Sequence, residues 1–333
     1  MGEIPAVSVV IPAYRHEAFV GEAIESVLGQ TFGDFELIVI VDGSPDRTGE
    51  IADGYASRDS RIRVYHQANA GSHATINRGL GLARGEWVAI LNSDDRFHPR
   101  RVERLLEAAG ADRDFVLSDV RLIDEKGEPI ADPAHWWNAM VEVFRERVRA
   151  EGALLGLLYG NYSVSTSNFF FRRTLWHAVG GLRNYRYVVD WEFALRAALH
   201  APERFAYLID EPLLDYRLHG ANTILAGAMR GGAEISRMHR ALLADHYGVP
   251  RALLASLHRN QRHVRRHWRE LGEQRIERFV RDREADVAQL REALALESAL
   301  VAALEAKVAA LEFELARVYA SRSWRYTRFL RRQ

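Results

Sequence analysis

The chain has 333 residues, 48% of them hydrophobic, with 45 basic and 45 acidic side chains that cancel to zero net charge, and no cysteine. That length exceeds one average domain, so one large domain with an appended module is expected. Balanced charge offers no global field for nucleic acid or an acidic membrane, and a chain without thiols has no disulfide, zinc–thiolate site or thiol nucleophile. No apolar run approaches the roughly 18 residues that span a bilayer, and the N-terminus lacks a basic-then-apolar signal, so a soluble cytoplasmic protein, at most peripheral to a membrane, is expected.

Along residues 7–117, short β-branched runs alternate with longer helical patterns, as βαβ units require. The runs predict strands over 7–11, 36–41, 63–66, 87–91 and 115–117, with helices over 20–30, 48–57, 72–83 and 99–109. Pro99 suits a first helical turn, where its missing N–H costs nothing. This alternation predicts a doubly wound α/β domain with a mostly parallel sheet. Residues 124–165 are less regular, with a helical pattern over about 142–159.

From about residue 230 the chain is almost wholly helix-forming. Val287, Leu294, Val301, Val308 and Leu315 follow one seven-residue repeat, with Leu290, Glu297, Leu304, Leu311 and Val318 three positions later. All but Glu297 are apolar, which is the narrow seam of a coiled coil. Residues 321–333 interleave five arginines with Trp324, Tyr326 and Phe329. The expected organisation is an α/β domain over 1–228, a helical region over 229–283, a coiled coil over 284–320 and a basic aromatic tail over 321–333.

Two acidic clusters mark a candidate site. Asp42 ends one apolar run and Asp94-Asp95 end another, and carboxylates just past parallel strands point into the crevice where an open α/β sheet binds its ligand. Paired carboxylates there suit a divalent metal holding a diphosphate. Read locally, Asp42-Gly43 is also an ordinary turn and Asp94-Asp95 also a helix cap.

Residues 7–14 (VSVVIPAY), 30–44 (QTFGDFELIVIVDGS) and 85–95 (GEWVAILNSDD) together resemble the inverting family 2 glycosyltransferases of GT-A fold, a likeness covering about residues 5–225. The resemblance implies metal-assisted single displacement from a UDP- or TDP-sugar to a glycan or lipid-linked acceptor, with Mn2+ or Mg2+ as cofactor. It makes Asp95 the direct metal ligand and His219 a further one, with Asp94 at the ribose or beside the metal. Ser93 stands where the motif often begins with Asp.

By the same resemblance, Asp42 accepts the imide N–H of a pyrimidine base, and Pro12 and Tyr14 line the base pocket. Asn69, Gly71 and Asn77 lie on the donor side, Asp119 faces the donor sugar, and Arg217 neutralises phosphate. Asp190 matches the catalytic base, with Val189 in place of the more usual Glu. The C-terminal SxSWRxT segment resembles tails of bacterial enzymes that build surface polysaccharides, which implies a growing lipid-linked glycan as acceptor; the heptad seam itself predicts a homodimer through the coiled coil, and the basic aromatic tail predicts weak peripheral membrane contact. Against a nucleotide-sugar pyrophosphorylase, residues 12–17 contain no glycine to wrap a triphosphate; against a dinucleotide oxidoreductase, no GxGxxG follows the first strand. A non-catalytic scaffold carrying the coiled coil is the alternative of a different class.

Overall fold

A computed structural model describes residues 4–220 except Ala134, residue 222, and seven residues between 234 and 242. All of these belong to the first of two units, Met1–Ser256, into which the chain divides. The expected coiled coil and basic tail, and nearly all of the expected helical region, lie outside the described residues.

Strand β1 (Val7–Ala13) is buried except at the half-buried Pro12, because it serves two core layers at once. Val7, Val9 and Ile11 enter one layer and Val10 the other; in β2 (Phe35–Asp42), Leu37, Val39 and Val41 alternate in the same way with Ile38 and Ile40. Such unbroken apolar strands are what a parallel sheet covered on both faces requires. The first face carries α1 (Val20–Leu28), α2 (Thr48–Ala56) and α4 (Arg101–Ala109). In α1 the buried Val20, Ala23, Ile24 and Val27 recur at helical spacing, and burying each branched side chain contributes about 1.5–3 kcal/mol. The second face carries α3 (Ser72–Leu82), α7 (Arg173–Val179) and α8 (Val189–His200).

The sheet has eight strands in the order β3 (Ile62–Gln67), β2, β1, β4 (Trp87–Ile90), β7 (Phe170–Arg172), β6 (Phe115–Ile123), β8 (Phe205–Arg217), β5 (Arg96–Phe97). The first four are mutually parallel; β7 runs antiparallel to both β4 and β6, β6 and β8 are parallel, and β5 is antiparallel to β8. The chain therefore winds outward from β1 to β3 and returns on the other side of β1, which creates a ligand-binding switch point at the C-terminal edge.

The α/β expectation and the five predicted strands hold, and β5, β7 and β8 are additional. Strands of two and three residues carry no readable alternation, and β8 contains Pro212 and three acidic residues. The helix expected over 142–159 is two, α5 (Trp136–Glu151) and α6 (Ala153–Tyr159), separated at Gly152 by a left-handed φ of 90°. Pro99 lies outside α4, with its carbonyl accepting the Thr31 N–H at 2.9 Å. Gln30 explains part of the QT motif: its amide donates to the Ser26 and His98 carbonyls and accepts from Val102 N–H, tying α1 to α4. Among the described residues no helix is long and apolar enough to cross a membrane.

Candidate active site

Because β1 lies between β2 and β4 and parallel to both, the segments that follow these three strands leave the sheet at one edge. Asp42 ends β2 and is 4% exposed. Its carboxylate accepts from Gln67 Nε2 at 2.7 Å, Ala70 N–H at 2.8 Å and Gly71 N–H at 3.0 Å, while its carbonyl accepts from Asn69 Nδ2. Burial pushes Asp42 up, but these bonds outweigh it and hold the carboxyl below its ordinary value. Asp42 thereby clamps the β3–α3 loop. Gly71 enters α3 at φ 84°, a conformation that favours glycine. Pro12 is half-buried at the end of β1, and Tyr14 just beyond it is 38% exposed with the Arg15 guanidinium 5.3 Å from its ring centre.

The paired aspartates divide their contacts differently from the expectation. Asp94 Oδ2 is 3.0 Å from His219 Nε2 and 3.8 Å from the His16 ring, and potential ligand atoms of these three residues all lie within 4.8 Å of one another. Asp95 is not in that group. It is 1% exposed, with one oxygen accepting from Ser167 Oγ at 2.5 Å and the other from Arg217 N–H at 3.0 Å. Asp94, rather than Asp95, is thus the carboxylate that faces His219. Burial and then the charge of Asp94 push the Asp95 carboxyl well above its ordinary value. Burial also works against ionised Asp94, but the His219 bond and the two imidazoles hold it low. His16 is lowered by its own burial, against the raising influence of Asp94.

Arg217 is buried and does not reach outward to a phosphate: it donates to the carbonyls of Asp94, Asp124 and Glu125 and pairs with Glu22. These contacts bring β8 against the acidic loop. Asp119 is likewise taken up internally, accepting from Arg145 Nε, the Tyr207 hydroxyl and Asp210 N–H where β6 and β8 slip register. Asn77 exchanges hydrogen bonds with the backbone of Leu182 in both directions, so it fastens α3 to the segment before α8.

Residues 161–168 form a polar brace between the two acidic regions. Asn161 donates to Asp190 Oδ2 at 2.9 Å, Ser165 accepts from Asn92 Nδ2, Thr166 donates to Asn92 Oδ1, and Ser167 holds Asp95. Asn168 and the Ser167 carbonyl receive the buried Arg101, which has no carboxylate partner among the described residues and which burial lowers to about 9. Val164 within this brace sits at φ 69°, a conformation that costs a β-branched residue about 1–3 kcal/mol and persists only where neighbours impose it.

Asp190 lies in the first turn of α8, where its other oxygen accepts Trp191 N–H at 2.8 Å. The residue keeps some surface, but its carboxyl sits deep among protein atoms. Burial pushes it up to about 6 against the lowering effect of Asn161 and Trp191. The buried Tyr216 phenol is raised by burial and then by the charges of Asp95, Asp94 and Asp190.

The structure thus sets His219 against Asp94, links Asp95 and Asp190 through residues 161–168, and puts Asp42, Asn69 and Gly71 together on the β2 side. Sequence reasoning missed His16, Asn161 and Ser167. A histidine three residues past a strand offered a weak signal for the first; the other two lie in a polar stretch that reads as an ordinary loop. Two surface hollows of about 420 and 450 Å³, one lined by Arg96, Phe97 and Asp215 and the other by Val120, Asn138 and Pro212, contain none of these site residues.

The family model described as Glycosyl transferase family 2 matches residues 8–179. The chain is 31% identical to a putative glycosyltransferase, EpsH, of Bacillus subtilis over 65% of this chain and 62% of the relative. It is 47% identical to an uncharacterised glycosyltransferase, EpsJ, of the same organism over 32% of this chain and 31% of the relative. The chain thus spans less than two thirds of the length of either. Among solved structures, S. aureus TarS 1–349 in complex with UDP-GlcNAc is similar with a TM-score of 0.52 and 19% identity, covering 70% of this chain and 64% of that one. The mannosyltransferase PcManGT from Pyrobaculum calidifontis, in complex with GDP-Man and Mn2+, gives 0.55 and 17%, covering 71% and 63%. These likenesses establish the GT-A fold.

Proposed function

Because the chain belongs to glycosyl transferase family 2, we propose that it moves a sugar from a UDP- or TDP-linked donor to a hydroxyl of a glycan or lipid-linked glycan, inverting the anomeric carbon. The observation that carries this reading is the pairing of Asp94 with His219 past the strand ends, next to a segment, residues 161–168, that holds both Asp95 and Asp190. Asp190, raised to about 6, is ionised at neutral pH yet retains basicity suited to accepting a proton. It takes the proton of the acceptor hydroxyl while that oxygen bonds to the anomeric carbon and the bond to the diphosphate breaks on the opposite side. Asn161 and Trp191 N–H hold the carboxylate in place for that transfer. Asp42, at the end of β2, receives the imide N–H of the pyrimidine.

The donor set of Asp94 and His219 suits a divalent cation, which when bound neutralises charge building on the leaving diphosphate. The PcManGT complex with GDP-Man and Mn2+ and the TarS complex with UDP-GlcNAc support a nucleotide-sugar donor. Incubation of the full chain with UDP- and TDP-sugars and manganese, followed by detection of released nucleotide, tests the proposal. Donor turnover is expected; a protein that neither binds nor cleaves any of these donors, with or without metal, is not this transferase.

A further inference from the structure

His16 follows β1, Asp94 follows β4 and His219 follows β8, and only the tertiary fold brings them together. Ligands bonded to one ion at about 2.0–2.2 Å stand about 3–4.4 Å apart. Asp94 Oδ2 meets that spacing with both partners, at 3.0 Å from His219 Nε2 and 3.8 Å from His16 Nε2. A second observation concerns the other nitrogen of His16. Its Nδ1 lies 2.8 Å from Ser93 Oγ, and Ser93 is 1% exposed. Neutral imidazole carries one N–H, so an Nδ1–H given to Ser93 leaves the Nε2 lone pair on the side of Asp94. Metal-binding histidines are oriented in this way, the far nitrogen donating to a fixed acceptor.

We propose that His16 is a protein ligand of the cation held by Asp94 and His219, with Ser93 orienting its ring. Ser93 thereby serves the site through His16 instead of presenting a carboxylate of its own. Two imidazoles and one carboxylate favour a first-row transition ion over Mg2+, which prefers an all-oxygen shell. The site therefore selects Mn2+, Co2+ or Zn2+ over Mg2+. This rests on the transferase reading for the role of the cation, but its binding is measured without any sugar.

The test uses the full chain and Mn2+ alone. Electron paramagnetic resonance titration gives affinity, and spin-echo modulation from imidazole nitrogen on bound Mn2+ reports how many histidines touch the ion. Two coupled imidazoles are expected in the unaltered protein and one in His16→Ala, with affinity at least about tenfold weaker. Ser93→Ala is expected to weaken Mn2+ binding by about 10–100-fold, the usual effect of losing such an orienting partner. Modulation from fewer than two imidazoles in the unaltered protein overturns the proposal, and that measurement does not depend on any variant folding. So does unchanged Mn2+ affinity in His16→Ala, which means that the two rings merely pack edge to face at 5.6 Å, or Mg2+ binding as tightly as Mn2+. Any of these leaves the transferase reading intact, because sugar transfer from the nucleotide donors decides that separately.

Discussion

Ionising a carboxyl such as Asp190 deep among protein atoms costs the folded state free energy, because protein dipoles replace hydration incompletely. Its value of about 6 against an ordinary 3.8 means that the folded chain binds more protons than the unfolded chain between those values. The associated stability is fully present below the unfolded value and is lost as pH rises through about 6. A carboxyl raised that far holds its proton about 3 kcal/mol more tightly in the folded chain than in the unfolded one. Asp190→Asn is therefore expected to raise unfolding free energy by about 3 kcal/mol at pH 8 and about 1 kcal/mol at pH 4.5. Turnover should fall at least about a hundredfold, because the amide keeps the shape but accepts no proton. Denaturant unfolding at both pH values and steady-state rates check this; near-normal turnover would send the search for the base elsewhere. In the unaltered enzyme, kcat/KM should decline as pH falls through about 6. Asp42 and Asp94 were legible as candidates because each stands just past an apolar run, and Asp190 through the resemblance of its segment to the family's acidic helix start. Asn161 and Ser167 were not, because neutral polar residues acquire meaning only from what stands opposite them.

At the scale of elements, α3 shows how close packing is written into one residue. A Cβ on Gly79 would lie 2.3 Å from Val10 Cγ1 and 3.4 Å from Ile40 Cγ1, so the helix rests directly on the two central strands. Val10 is β-branched and enclosed, and cannot turn aside. Gly79→Ala gains about 1 kcal/mol of helix propensity but incurs about 1–3 kcal/mol of overpacking. The second effect is expected to win, lowering the urea midpoint at unchanged slope; an equal or higher midpoint refutes the close approach. The same scale explains which elements the sequence revealed. Strands β1 and β2 bury both faces and read as unbroken β-branched runs. Strands β5 and β7, with two and three residues, pair only because longer neighbours present free edges.

For the whole molecule, the seven-residue repeat over 284–320 predicts a parallel two-stranded coiled coil and hence a homodimer. Val occupies three of five a positions and Leu three of five d positions, the distribution that favours two parallel strands. Lys307 at g and Glu312 at e are placed to pair across such a dimer, while Glu297 interrupts the seam. Because the chain has no native cysteine, Leu304→Cys offers one unambiguous probe. Oxidation should give a disulfide-linked dimer, with sedimentation showing twice the chain mass before oxidation. A monomeric mass together with no cross-link rules the dimer out. The basic aromatic tail over 321–333 is expected to add weak affinity for anionic membrane, each basic side chain near the surface contributing about 1 kcal/mol. Equal flotation with anionic liposomes before and after deleting it would count against that role.

Local sequence alone determined the alternating α/β architecture, the three parallel strand ends that carry the site and the acids placed there, because hydrophobic periodicity and acids at strand ends are short-range patterns. Which carboxylate faces His219, how His16 enters the same cluster, and how residues 161–168 brace both Asp95 and Asp190 were decided only by tertiary structure. Each depends on strand order and on contacts between residues 29 to 125 positions apart, as for Asn161 with Asp190 and His219 with Asp94, and on competition for a few buried donors. No spacing along the chain encodes that competition.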